Sequence, residues 1–226
     1  MNVGVLGTGS VGQTISSKLV ALGHEIVMGS RDPATLETRN EPPYPGAPTF
    51  SDWRAENPDV RFGTFAEAAA HGELVFLATN GMATVDIVTD VAEHLTGKTV
   101  VDITNALDFS EGYARLFVSG GGDSLAERIQ RAAPQARVVK SLNTVTAPVM
   151  VNPAILGDAD HVMFVAGDEE AARAEVSTLL RNWFGWREIV DLGDLSGARA
   201  LEANILMWVR MMGTFGTPMF NIAIRR

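Results

Sequence analysis

Val3-Gly4-Val5-Leu6 leads directly into Gly7-Thr8-Gly9-Ser10-Val11-Gly12, and this stretch decides the fold. The apolar run is typical of a buried strand, and Ile15, Leu19 and Leu22 after it recur at the spacing of one helix face. A Gly-x-Gly-x-x-Gly run between a strand and a helix is the fingerprint of a dinucleotide-binding site. The first glycine makes a tight turn, the second lets the backbone approach a pyrophosphate, and the third lets the helix pack on the strand. Phosphate then lies against free N–H groups at the positive end of the helix. We predict that the nucleotide is bound by Gly7, Thr8, Gly9, Ser10, Val11 and Gly12.

The second predicted strand, His24 to Met28, indicates which nucleotide is bound. An NAD site places Asp or Glu about twenty residues after the glycines, where the carboxylate accepts hydrogen bonds from the ribose hydroxyls. Here the strand runs into Gly29-Ser30-Arg31 without an acid. A guanidinium beside a serine hydroxyl suits the 2′-phosphate of NADP, which favours NADP over NAD. The alternative is that Arg31 is a solvated loop charge and that Asp32-Pro33 only caps the next helix.

Composition excludes several classes of partner and site. The 226 residues are 46% hydrophobic, which is enough for a dinucleotide domain and a small second unit. A net charge of −9 argues against nucleic acid or an anionic membrane as a partner, because both attract basic surfaces. With no cysteine there is no disulfide, thiolate nucleophile or thiolate metal site, and no residue pattern indicates another metal site. We expect a cytoplasmic protein whose partners are small-molecule cofactors.

The rest of the chain alternates predicted strands and helices, as a doubly wound, mainly parallel Rossmann sheet requires. We expect an NADP-binding Rossmann domain over 1–145 and a small C-terminal α/β region for substrate or dimerisation over 146–226. Segment 42–48 is rich in proline and has no predicted element, 106–122 reads as a long loop, and 219–224 reads as a terminal strand. The helix over 198–212 is apolar nearly all round. This pattern indicates a subunit interface, a lid over the cofactor or a central core helix, and a homodimer is the expected assembly.

Polar residues follow three of the predicted strands. They are Thr79 and Asn80, then Thr104 and Asn105, and then Asn143, Thr144, Val145 and Thr146. Ligands of open α/β sheets bind beyond the carboxyl ends of the strands, so we assign cofactor contacts to Thr79, Asn80, Asn143, Thr144 and Val145. The same residue types are also common in loops and caps.

A general acid or base is hard to find in this sequence. The four histidines, at 24, 71, 94 and 161, all fall away from the predicted strand ends, and among the lysines only Lys140 could approach a site there. Reduction of a carbonyl needs a proton donor, whereas hydride exchange between two ring cofactors needs chiefly face-to-face positioning. We therefore assign no catalytic side chain.

The sequence resembles the deazaflavin-dependent NADP reductases, which use coenzyme F420, and the wider group of dinucleotide-binding oxidoreductases. The resemblance lies in the glycine run, in Leu22-Gly23-His24-Glu25-Ile26-Val27-Met28-Gly29-Ser30-Arg31, and in the strand ends Leu77-Ala78-Thr79-Asn80 and Leu142-Asn143-Thr144-Val145. It implies that Gly29-Ser30-Arg31 binds the 2′-phosphate. It also implies that a nicotinamide stacks on a deazaflavin ring near Thr144-Val145-Thr146.

Two departures leave the second substrate open. Thr79-Asn80-Gly81 is less apolar than the corresponding loop of the family, and the proline-rich segment 42–48 has no place in the family pattern. The hydride acceptor could instead be a flavin, a quinone, a ferric chelate or an imine, or the protein could sense NADP without turnover. The Gly-x-x-x-Lys-x-x-x-Asn helix motif of hydroxyacid and imine dehydrogenases is not matched, because Leu201 and Ile205 follow Gly197 at the lysine and asparagine places.

Overall fold

The computed structural model describes residues 1–39, 41–42, 48–118 and 122–225. The described strands are β1 Asn2–Leu6, β2 Glu25–Ser30, β3 Arg61–Thr64, β4 Leu74–Leu77, β5 Thr99–Asp102, β6 Leu107–Asp108, β7 Arg115–Leu116, β8 Arg137–Ser141, β9 Val162–Ala166 and β10 Glu188–Asp191. The α-helices are α1 Ser10–Ala21, α2 Phe50–Glu56, α3 Phe65–His71, α4 Gly81–Val91, α5 Leu125–Ala132, α6 Ala147–Val151, α7 Glu170–Leu179 and α8 Ala198–Phe215. Short 3₁₀-helices cover Pro33–Thr38, Ala92–Leu95, Pro153–Ile155, Gly157–Ala159 and Leu195–Gly197, and one π-helical turn covers Leu180–Phe184.

Eight of these strands form one sheet in the order β3-β2-β1-β4-β5-β8-β9-β10. All the pairs from β3 to β8 are parallel, β8 pairs with β9 antiparallel, and β9 pairs with β10 parallel. The first six positions reproduce the Rossmann order, whose switch point lies between β1 and β4. The predicted α/β Rossmann class with a C-terminal extension is therefore confirmed.

Hydrophobic residues fill both faces of the sheet because side chains of a strand alternate between the two faces. In β4, Leu74 and Phe76 pack in the core that α1, α6 and α7 cover. Val75 and Leu77 pack in the second core, under α3, α4 and α5. The ligand-binding edge of the sheet is thus held from both sides.

The C-terminal tail is not the strand that the sequence predicts over 219–224. Isolated hydrogen bonds join it to β9. The backbone amide of Val162 donates to the carbonyl of Ile222, and the side-chain Nδ2 of Asn221 donates to the carbonyl of Val162. Since β8 and β10 already occupy both edges of β9, the tail cannot pair along it. Its aromatic side chain instead packs on α8, with the rings of Phe220 and Trp208 stacked at 5.5 Å.

The predicted loop over 106–122 contains a small hairpin. Its strands β6 and β7 pair antiparallel, and Arg115 donates from Nε to Asp108 Oδ2 across them at 2.7 Å. Each strand has only two residues, which is too short to show the alternation of apolar and polar residues that predicts a strand. The sequence therefore contains no signal for this hairpin. The glycines at 120 and 121 and the prolines at 43 and 45 lie outside the described residues.

Helix α8 differs along its length. Ala198, Leu201 and Ile205 are buried in its first half, whereas Met207 is 48% exposed and Phe215 56% exposed in its second half.

The predicted domain boundary at 145/146 falls between β8 and α6, and the strands on its two sides belong to one sheet. Among the described residues, no helix combines the length and the apolar content needed to cross a bilayer.

Candidate functional site

The glycine run forms a tight loop between β1 and α1. Gly7 has a φ of +120°, and a Cβ there would overlap the carbonyl oxygen of Ala78. A Cβ at Gly12 would overlap the carbonyl oxygen of Gly7, so this glycine lets α1 approach the loop. A Cβ at Gly9 would meet no atom within 4 Å, because the space in front of it is open. These are the conditions that a pyrophosphate needs at the start of a helix.

The start of α1 is available to an anion. Gly9 is its N-cap, and neither a capping side chain nor an acidic residue occupies the first turn. The N–H groups of a first turn have no partner inside the helix, and the helix dipole makes this end positive.

A cleft of about 490 Å³ opens beside this loop, beyond the carboxyl ends of β1, β2 and β4. It brings together seven of the predicted site residues, namely Gly7, Thr8, Gly9, Ser30, Arg31, Thr79 and Asn80. Asp32, Thr35, Leu36, Arg39, Phe65 and Ile87 also line it, and sequence reasoning assigned no ligand contact to these. Ser10, Val11 and Gly12 continue into α1 from the same loop.

Ser30 and Arg31 form one end of the cleft. Ser30 is the last residue of β2 and is 7% exposed, and its Oγ is buried with no hydrogen-bond partner among the described residues. Arg31 follows it and is exposed. Asp32, which also lines the cleft, forms the predicted cap, since its Oδ1 accepts the amide of Ala34 at 3.1 Å. A buried hydroxyl without a partner is unfavourable unless a ligand satisfies it.

Thr79 and Asn80 form the other end of the cleft. Asn80 caps α4, and its Oδ1 accepts the amide of Met82 at 3.0 Å. The hydroxyls of Thr79 and Thr84 lie 2.7 Å apart, and Thr84 also donates to the carbonyl of Asn80. These bonds fix the turn after β4, so that the two side chains are held in place before a ligand binds.

Asn143, Thr144 and Val145 lie apart from this cleft lining. Asn143 Nδ2 donates to Asn105 Oδ1 and to the carbonyl of Leu201, each at 3.0 Å, which ties the end of β8 to α8. Thr144 borders a separate cavity of about 10 Å³. Val145 is 5% exposed and packs in the core. Their assignment as cofactor contacts stays a prediction, and the side chain of Val145 is a core side chain.

Lys140, the lysine that the sequence places nearest the site, is enclosed in a buried ionic cluster. Its Nζ lies 2.9 Å from Asp102 Oδ2 and 3.3 Å from Glu202 Oε1, with all three side chains at most 3% exposed. Glu202 in turn accepts the amides of Leu125 and Ala126 at 2.8 and 3.0 Å, at the start of α5. The positive charge of Lys140 and the positive N-terminal end of α5 thus balance the negative charges of the two carboxylates. Sequence reasoning missed Glu202, although a lone acid on an apolar helix is a signal of burial with a partner.

The four histidines all lie outside the described lining of the cleft. The ring of His24 packs on Trp183 at 4.3 Å, and burial holds its pKa below the ordinary histidine value. His71 contacts the carbonyl of Glu25, and His161 contacts the carbonyl of Pro153. His94 is exposed.

Comparisons with known proteins agree on one family. Residues 2–106 match the family model described as NADP oxidoreductase, coenzyme F420-dependent. A crystal structure from Arthrobacter sp. FB24, described as a candidate F420-dependent NADP-reductase, is 45% identical with a TM-score of 0.93, and the match covers 99% of each chain. The F420-dependent NADP reductase of Methanothermobacter marburgensis is 28% identical over 206 residues, which is 89% of this chain and 88% of that one.

A second group of relatives consists of longer proteins. Metalloreductase STEAP3 of Rattus norvegicus is 27% identical over 203 residues, covering 89% of this chain. The match covers 36% of the rat protein, so this chain spans about a third of its length. The family model, the whole-chain structural match and the nucleotide-binding fold agree: this chain is an NADP-dependent oxidoreductase and belongs to the coenzyme F420-dependent NADP oxidoreductase family.

Proposed function

We propose that the protein transfers a hydride between NADP(H) and the deazaflavin coenzyme F420. The observation that carries this proposal is the chemistry of the cleft. Its described lining offers hydroxyls, an amide and guanidinium groups, and no histidine or lysine. Asp32 is the one carboxyl in that lining, and it caps a 3₁₀-helix. Such a site can position two rings, which is what hydride exchange between them requires, but it has no ready proton donor for a carbonyl.

The residues present fit NADP(H). The open face of Gly9 and the first turn of α1 would hold the pyrophosphate, and Ser30 Oγ with the Arg31 guanidinium would hold the 2′-phosphate. The bound nucleotide supplies or accepts the hydride. Thr79 and Asn80 would orient its nicotinamide end from their fixed turn, and Asn143, Thr144 and the backbone of Val145 are the proposed contacts of the second ring.

The test uses purified protein, NADPH and oxidised F420, with both chromophores followed by absorbance. We expect equimolar consumption of the two, and the reverse reaction when reduced F420 and NADP⁺ are supplied. The matched control is Gly9→Val, in which the added side chain enters open space and blocks the phosphate. Absence of F420 turnover by a protein that binds NADPH would contradict the proposal.

A second candidate acceptor is a ferric chelate, and the likeness to the metalloreductase favours it. The same assay with ferric chelate, FMN, a quinone or a cyclic imine in place of F420 decides between the acceptors. Turnover of one of these without turnover of F420 would replace the first proposal by the second.

A further inference from the structure

Arg39 is a second guanidinium at the Ser30 end of the cleft. We propose that it recognises the 2′-phosphate of NADP(H) together with Arg31. The inference rests on the proposed nucleotide site and not on the identity of the hydride acceptor. Arg39 directly follows the 3₁₀-helix Pro33–Thr38 and lines the cleft. Its Nη1 donates to the hydroxyl of Thr8, in the glycine loop, at 2.9 Å.

The bond to Thr8 places Arg39 at the 2′-phosphate end of the cleft. Strands β1 and β2 pair in parallel with Leu6 opposite Gly29, and the amide of Gly7 donates to the carbonyl of Gly29. Since the two strands end in this register, Thr8 leaves the sheet beside Ser30 and Arg31. A guanidinium that is bonded to Thr8 therefore lies at this end of the cleft.

The two guanidinium groups at this end of the cleft are not held in ion pairs. Within the part of the chain that the structure describes, neither Arg31 nor Arg39 has a carboxylate partner at ion-pair distance. The one carboxylate in the described lining, Asp32, accepts the amide of Ala34 and forms no ion pair with either guanidinium group. Ser30, whose buried Oγ has no hydrogen-bond partner among the described residues, lines the same cleft. A phosphate dianion would satisfy all three groups.

Aromatic packing holds Arg39 in position. Its guanidinium carbon lies 5.9 Å from the ring centroid of Phe50, whose own ring packs 5.7 Å from that of Trp53. Trp53 Nε1 donates to Ser17 Oγ in α1 at 2.8 Å. Helix α2 is thus anchored on the same helix that begins the phosphate loop. Arg39 thus has contacts with Thr8 and Phe50 that restrict its side chain without a nucleotide, and such preorganisation lowers the entropic cost of binding.

The test is a set of calorimetric titrations of Arg39→Gln with NADPH, NADH, adenosine 2′,5′-bisphosphate and 5′-AMP. Loss of one charged hydrogen-bond donor weakens binding by about tenfold or more, and we expect this loss for the two ligands that carry a 2′-phosphate. NADH and 5′-AMP should keep their affinities. Arg39→Lys retains the charge and should recover part of the loss.

The matched control is Arg54→Gln. Arg54 lies over Phe62 of the same aromatic cluster, with its guanidinium carbon 4.9 Å from the ring centroid, and it does not line the cleft. Unchanged binding is expected for all four ligands. Equal weakening of NADPH and NADH by Arg39→Gln, or no weakening of either, would overturn the proposal. The titrations need no hydride acceptor, so they are independent of the F420 assay.

Discussion

At the scale of single residues, Arg31 and Ser30 are the proposed determinants of the choice of nucleotide. We expect Arg31→Ala to weaken NADPH binding by about 1.5–3 kcal/mol, the range for hydrogen bonds to charged groups, and to leave NADH binding little changed. Titration calorimetry measures both. Arg181→Ala, which removes an exposed arginine outside the cleft lining, is the control. Equal losses for the two nucleotides would mean that Arg31 is structural.

Replacing Gly9 or Gly12 by valine should affect two different properties of the protein, nucleotide binding and stability. Gly9→Val adds a side chain to open space, so the protein should fold with nearly unchanged stability and lose NADPH binding. Gly12→Val forces a side chain against the carbonyl of Gly7 and should destabilise the fold itself. Urea unfolding and NADPH titration of the two variants separate the effects. A folded Gly9→Val variant that still binds NADPH would exclude this loop as the site.

Sequence reasoning could assign the nucleotide end of the candidate site because local residues build it. The glycine loop, Ser30 and Arg31 lie within the first 31 residues, and a strand, a turn and a helix place them without help from the rest of the chain. Arg39 could not be assigned in this way, since its position depends on the packing of Phe50 and Trp53 on α1. Val145 was placed at a strand end correctly, but a strand-end position does not reveal that the core encloses it.

At the scale of elements, the buried cluster of Lys140, Asp102 and Glu202 joins β8, β5 and α8. Glu202→Gln removes one charge with little change of volume and leaves Lys140 and the α5 amides poorly matched. Breaking a buried ion pair costs about 3–5 kcal/mol, and we expect a loss of this size in the free energy of unfolding measured in urea. Glu93→Gln, at an exposed site, should cost almost nothing. A loss for Glu202→Gln as small as that of the control would contradict the structural role.

The same cluster shows why elements are harder to predict than motifs. The apolar pattern over 198–212 identified α8, but only tertiary contacts distinguish its buried first half from its exposed second half. The predicted terminal strand over 219–224 failed for a related reason. Its apolar residues suit a strand, but the edges of β9 are occupied by β8 and β10, so they pack on α8 instead.

At the scale of the whole molecule, we propose that the second half of α8 joins two copies of the chain. Met207 and Phe215 are about half exposed there, and the adjoining Leu206 is 39% exposed, so this end of the helix presents apolar surface to solvent. Such patches mark interaction sites, and twofold symmetry lets one helix face cover its own copy. Sedimentation should give twice the mass of one chain.

The interface can be tested by placing charge in it. The double variant Met207→Glu, Phe215→Glu should sediment as a monomer, whereas Ile155→Glu, at another exposed apolar residue, should not change the mass. Wild-type protein that remains monomeric at all concentrations would exclude the dimer.

The order of strands in the sheet also has a consequence for synthesis on the ribosome. Strands β2 and β3 extend the sheet from β1 in one direction, and β4, β5, β8, β9 and β10 then extend it in the other, each beside the strand before it. Every strand therefore meets a free edge when it emerges, and none has to be inserted between partners that are already paired. Glu202 arrives with the last helix. The acceptor for the α5 amides is thus supplied only after the whole sheet has been translated.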